Sequence, residues 1–215
     1  MKRVIFYFDG FNFYNGLKSQ SKIDTQWKNY YWIDLVKFCS YVVHEGSELI
    51  AVKYFISPSM NTVKRSKQSA FLGANILING DKFIVYNGQY IHKAVDCEAL
   101  CKKPFKILEE KRTDVSIAIN ILLDCMDDKV DTIVLITADS DQIPTIKTIK
   151  QRFPSKKLKI YFPPSRTSFE LTNEAKPVVY LENQEDKFKA SIMDFMITNG
   201  IKKYTKPLEW DNKNK

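Results

Sequence analysis

Ile133–Ile146 reads IVLITADSDQIPTI. A short apolar run ends in two aspartates spaced i and i+2, and Pro144 then opens the helical pattern QIPTIKTIKQRF. A strand feeding directly into a helix is the unit from which parallel sheets with flanking helices are built. Pro144 falls in the first helical turn, where its missing N–H is harmless. Two like charges at a buried strand tip need a reason, because neighbouring carboxylates repel each other and shift each other's pKa upward.

Working outward, the same alternation recurs. Arg3–Asp9, RVIFYFD, is a nearly continuous apolar run, as expected of a central strand covered on both faces. It stops at DGFNFYNG, where Gly10 lets the backbone turn and Asn12 can cap the following segment. WIDLVKFCSYVV has helical spacing, LIAVKYFI reads as a strand, and Thr62–Ile78 reads as a long amphipathic helix. KFIVYNGQYIH predicts a hairpin turning at Asn87-Gly88, followed by a less regular stretch with a short helix and a strand.

TDVSIAINILLDCM carries a broad apolar face with Thr113 as N-cap, DTIVLITA and KLKIYFP are strands, and RTSFELTNEA makes a short helix. The tail KASIMDFMITNGIKKYTKPLEW reads as helical up to Gly200 and extended beyond it. The expected fold is therefore α/β, with a central, mostly parallel sheet between helical layers.

Composition bounds the function. The chain has 215 residues, 44% of them apolar, enough for one real core. Lys and Arg number 33 against 25 acids, giving +8, a surplus that permits a polyanionic partner. Basic residues cluster in KTIKQRFPSKKLK and at Lys64, Arg65 and Lys67, although each run alone reads equally as a solvated face. No run reaches the roughly 20 apolar residues of a membrane span. With no leader before the first strand, the expectation is a cytoplasmic protein with reduced thiols and no membrane partner.

In a parallel sheet, ligands gather beyond the C-terminal strand ends. Asp9 lies there on the first strand, and Asp139 and Asp141 lie there on DTIVLIT; Asp114, in a helix first turn, can point the same way. Oxygen ligands without histidine favour Mg²⁺ or Mn²⁺ over zinc. Each acid also has a local reading: Asp139 or Asp141 as a helix cap, Asp114 as a first-turn acid, Asp9 as a turn former.

Three stretches in order, FYFDGFNFYNG, EEKRTDVSIAINILLDC and LITADSDQIPTIK, resemble the signature blocks of the NYN domain family, the PIN-like ribonucleases that include the LabA-like bacterial branch. The resemblance spans roughly Val4 to Val179. It implies a three-layer PIN-like (Rossmann-like) fold in residues 1–182, with residues 183–215 as a helical and extended tail on or beside it. It also implies metal-dependent hydrolysis of RNA phosphodiesters, leaning toward endonucleolytic cleavage.

On this reading Asp9, Asp114, Asp139 and Asp141 are catalytic and metal-holding, with Asp141 placed for the attacking water or a second ion. Asn12, Thr137, Ser140, Lys111, Arg112, Lys64, Arg65 and Lys67 are substrate-binding candidates. Phe11, Phe13 and Tyr14 either stack a base or pack the helix start. Cys97 and Cys101 form C-x3-C where relatives carry C-x2-C, so buried thiols or a helical pair are favoured there over a structural Zn²⁺. Cys39 and Cys125 fall on apolar helix faces and are expected in the core. The oligomeric state stays open, with the tail as a candidate self-association surface.

The rival readings are a non-catalytic RNA-binding or assembly module with a vestigial acidic pocket, and a small-substrate phosphohydrolase. The second is disfavoured because DGFN lacks the second aspartate of D-x-D, and the D-x-S-x-S of a metal-binding adhesion domain is also absent.

Overall fold

A computed structural model of the chain describes residues 1–96 and 104–211, with the backbone alone for residues 90–96 and 104–111. The elements run β1 (Lys2–Asp9), α1 (Gly10–Ile23), α2 (Leu35–Val42), β2 (Ser47–Ile56), α3 (Thr62–Asn79), β3 (Phe83–Asn87), β4 (Gln89–Asp96), β5 (Pro104–Lys111) and α4 (Thr113–Met126). They continue with β6 (Thr132–Ile136), α5 (Ile143–Arg152), β7 (Lys157–Phe162), α6 (Phe169–Glu174), β8 (Val178–Tyr180), α7 (Glu185–Ala190), β9 (Met196–Thr198) and β10 (Lys203–Thr205).

Six strands form one sheet in the order β3-β2-β1-β6-β7-β8, and every neighbouring pair is parallel. The chain starts at β1, builds outward to β3, then returns to the other side of β1 with β6. That reversal makes the gap beyond the C-terminal ends of β1 and β6 a topological switch point, where open α/β sheets bind ligands.

The continuous apolar strands follow from burial on both faces. Val4, Phe6 and Phe8 of β1 pack with Phe13, Leu17, Phe38 and Phe71 in one core. Ile5 and Tyr7 face the other way and pack with Ile117, Ile121, Ile146 and Ile149. The result is helix, sheet, helix, the architecture expected from the alternation of strands and helices.

Gly10 does its work through close approach. A Cβ there would lie 2.7 Å from the Phe55 carbonyl oxygen and 2.6 Å from the Tyr54 ring. Its smallness lets α1 begin directly at the tip of β1.

Three expectations are corrected. Asn87-Gly88 does not close a hairpin of β3 and β4. β3 joins β2 in parallel, and the Gly88 amide donates to the Ile56 carbonyl at 3.0 Å. β4 pairs antiparallel with β5 instead, as a separate two-stranded sheet leading into α4. The cap of α4 is Arg112, at a left-handed φ of 76°, and Thr113 is the first helical residue.

The tail is not helical up to Gly200. α7 ends at Ala190, and β9 and β10 form an antiparallel hairpin whose turn contains Gly200 at φ 87°. The apolar spacing of Ile192, Met193, Met196 and Ile197 imitates a helix, but Asn199-Gly200 supplies a turn that a helix would not hold. β8 and the 3-10 helix Thr25–Tyr31 carried no clear sequence signal.

Phe188 of α7 and Trp210 sit in the same core as β1. Cys39 and Cys125 are buried and unbridged, in line with the core reading. No described helix is long and apolar enough to cross a membrane.

Candidate metal centre

Strand pairing sets the spacing of the centre. β1 and β6 run in register with Phe8 opposite Ile136, so the next residues out are Asp9 and Thr137. The Thr137 hydroxyl donates to Asp9 Oδ2 at 3.0 Å and accepts the Asp139 backbone N–H at 3.0 Å. Asp9 Oδ1 accepts the Asn12 backbone N–H at 2.9 Å, which caps α1. The Asn12 side-chain oxygen reaches across the switch point to the Ala138 N–H, at 3.2 Å. Two strand ends and one helix start are thus tied together by hydrogen bonds.

α4 adds the third carboxylate. Asp114 stands in its first turn and accepts from Gln142 Nε2 at 3.2 Å. Gln142 is buried, and its Oε1 finds no partner. One oxygen from each of Asp9, Asp114 and Asp139 lies within 4.8 Å of the other two. Asp9 is buried, Asp139 half-buried and Asp114 exposed, so the cluster opens from the sheet edge toward solvent.

Burial pushes the Asp9 carboxyl up to about 7, against the opposing pull of the Asn12 and Thr137 hydrogen bonds, and the charges of Asp114 and Asp139 push it further the same way. A carboxylate in that position gains from a cation, which offsets both the desolvation and the mutual repulsion. Among the described residues, three carboxylates with no nitrogen or sulfur donor suit Mg²⁺ or Mn²⁺. The donor set therefore fits the cation that the sequence pattern implied.

The other candidates sort by position. Asp141 is exposed and outside the three-carboxylate cluster; its backbone N–H donates to Asp139 Oδ1 at 3.0 Å. Ser140 begins the short 3-10 turn between Asp139 and α5 and is half-buried. Lys111 ends β5, and its side chain lies outside the described residues; Arg112 is exposed at the start of α4.

Lys64 and Lys67, three apart on α3, line a cavity with Phe11 and Tyr14, whereas Arg65 does not. Lys67 also pairs with Glu209 at 2.9 Å. Phe13 is buried, so of the three aromatics only Phe11 and Tyr14 reach solvent. Cys97 and Cys101 lie outside the described residues.

Two charged or polar residues were missed from sequence. Gln142 orients Asp114 from 28 positions away, a contact that depends on how α4 docks. Lys53, in the middle of β2, is buried with its ammonium on Asp124 Oδ2 at 2.6 Å; a lysine inside an apolar strand was the available signal. That pair packs on the α4 side of the sheet, ten positions along the helix from Asp114.

Residues 3–182 match the family model described as the NYN domain. No curated protein matches the chain. Among solved structures, the chain is similar to a protein of unknown function from Vibrio parahaemolyticus RIMD 2210633, at 21% identity and a TM-score of 0.54. The alignment covers 84% of this chain and 93% of that one, a likeness of fold.

Proposed function

The chain belongs to the NYN domain family, and on that premise we propose that it is a divalent-metal-dependent ribonuclease that cleaves RNA phosphodiesters internally. The observation that carries this reading is the convergence of Asp9, Asp114 and Asp139 within 4.8 Å at the switch point of the sheet.

Asp9, Asp114 and Asp139 would hold Mg²⁺ or Mn²⁺. When bound, such an ion supplies Lewis acidity toward a phosphoryl oxygen and lowers the pKa of water. The residues do the rest. Thr137 and Asn12 hold Asp9 and the Asp139 loop in one geometry, so little reorganisation is needed at the moment of reaction.

Asp141, at the exposed rim beside Asp139, takes a proton from the attacking water. The water oxygen bonds to phosphorus as the bond to the 3′ oxygen breaks, and that oxygen takes up a proton. The products carry a 5′ phosphate and a 3′ hydroxyl, and the 2′-hydroxyl has no part in the step. Lys64 and Arg112 meet backbone phosphates, a sequence-independent attraction.

Incubation of a 5′-labelled RNA with the protein in Mn²⁺ tests this. Internal cuts with 5′-phosphate ends are expected, abolished by EDTA and by Asp9→Asn or Asp139→Asn while circular dichroism shows a folded protein. Binding of RNA without any cutting would instead favour a non-catalytic module with a vestigial pocket.

A further inference from the structure

Beside the carboxylates, between α1 and α3, lies a cavity of about 430 Å³ whose aromatic wall the chemistry above leaves unused. Its wall includes Phe11, Tyr14, Asn15, Lys18, Lys64 and Lys67. We propose that this pocket receives an unpaired nucleobase of the RNA strand, so that the substrate class is single-stranded RNA. The inference rests on the ribonuclease reading for the identity of the polymer.

Position is the first argument. Phe11 stands two residues after Asp9, and Asp9 lies in register with Phe55 of β2, whose last residue Ile56, with Ser57 just beyond it, lines the pocket. The pocket therefore flanks Asp9 on the β2 side, opposite Thr137 and Asp139 on the β6 side. A strand crossing the carboxylates would put a neighbouring nucleotide over the pocket mouth.

The wall chemistry is the second. Phe11 is half exposed and Tyr14 more than a third, although both follow a buried strand tip where packing would hide them. Tyr14 rests against Tyr31 with ring centres 5.7 Å apart, and Tyr31 meets Trp210 edge-on at 5.6 Å. Tyr14 is thus backed by other rings, while both Phe11 and Tyr14 keep exposed surface at the pocket.

Among the described residues, the pocket wall contains three lysines and no acid. Glu209 already engages Lys67, so Lys18 and Lys64 are the cations best placed for an incoming phosphate. Aromatic faces edged by cations match a nucleotide, which pairs a π surface with an anion.

Pairing is the third. A base inside a duplex spends both faces on its neighbours and cannot enter an aromatic pocket unless it is unstacked. An unpaired base has its faces free. Selection for single strands follows from the pocket, with no base sequence being read.

Fluorescence anisotropy in EDTA, with protein carrying Asp9→Asn, separates this from catalysis. The probes are a labelled ten-nucleotide single-stranded RNA and the same sequence in a blunt duplex. The single strand is expected to bind more tightly. Phe11→Ala and Tyr14→Ala should each weaken it roughly ten-fold and leave the duplex unchanged.

Phe11→Leu and Tyr14→Leu keep apolar bulk without the ring, and serve if either alanine variant fails to fold. Equal affinity for the two RNAs, or ring variants that bind the single strand as before, overturns the pocket even if the unaltered protein cuts RNA in Mn²⁺. Ring-dependent binding in a protein that never cuts RNA would support the pocket and remove the nuclease reading.

Discussion

Thr137 donates its hydroxyl proton to Asp9 at 3.0 Å from the end of the neighbouring strand, and the same oxygen accepts the Asp139 amide. One buried side chain therefore links two of the three clustered carboxylates. Thr137→Val keeps the shape and removes both bonds. Groups that orient metal ligands typically carry a 10- to 100-fold effect on affinity, so Mn²⁺ binding should weaken by roughly that factor. Leaving the Asp139 N–H unpaired should also cost about 1–3 kcal/mol of stability. Calorimetric titration and urea denaturation measure the two effects; unchanged Mn²⁺ affinity would separate Thr137 from the centre.

Asp9 also predicts a pH dependence. Burial lifts its carboxyl from the ordinary 3.8 to about 7 in the metal-free protein. Between those values the folded state holds a proton that the unfolded chain has released, so this group's contribution to stability falls as pH rises through the window. Above pH 7 the contribution is level. Other acids, such as Asp131 beside Arg3, slope the opposite way, so the informative quantity is wild type minus Asp9→Asn. That difference should decline from pH 4 to 7 and be flat at pH 8, by denaturation in EDTA. Stabilisation of the wild type by Mn²⁺ should grow over the same range as the cation displaces the proton.

Gln142 is one hydrogen-bond partner of Asp114. Its Nε2 holds Asp114 Oδ1 at 3.2 Å, and it is the buried last residue of the 3-10 turn that carries Asp141. Gln142→Ala should lower Mn²⁺ affinity about ten-fold or more, with RNA affinity in EDTA unchanged. A loss of both together would mark a collapse of the turn.

Lys53, Asp124 and Tyr7 form a buried network beneath α4, the helix that also carries Asp114. Asp124 Oδ2 accepts from Lys53 Nζ and from the Tyr7 hydroxyl, each at 2.6 Å. Burial, with Asp124 alongside, holds the Tyr7 phenol well above its usual range. Lys53→Met alone should destabilise by about 3–5 kcal/mol, because it strands a buried carboxylate. Lys53→Met with Asp124→Leu should recover most of that loss. Chemical denaturation of Lys53→Met, Asp124→Leu and the double variant measures the coupling, and additive losses would contradict it.

Legibility divided by the range of the interactions. β1, β2, β6 and β7 were readable because burial on both faces leaves continuous apolar runs, and α3 and α5 because one apolar stripe faces the sheet. Asp9 and Asp139 were readable as partners because both sit where a strand stops, and strand ends of a parallel sheet share one edge. The pairing of β3 with β2 was not, since Asn87-Gly88 is locally a good hairpin and only tertiary contact sends β4 elsewhere.

The tail misled through spacing, with apolar residues near helical period on either side of a glycine that takes φ 87°. Gln142 and the pocket walls depend on elements meeting across long stretches of chain. No local pattern encodes that meeting.

The central claim is that Asp9, Asp114 and Asp139 jointly hold a divalent cation. Anomalous X-ray scattering from a crystal soaked in MnCl₂ tests it most directly. A manganese peak within coordination distance of all three carboxylates, missing from an Asp9→Asn crystal, is the predicted result. A fully soaked crystal with no peak there, or with manganese bound elsewhere and these carboxylates unliganded, would contradict it.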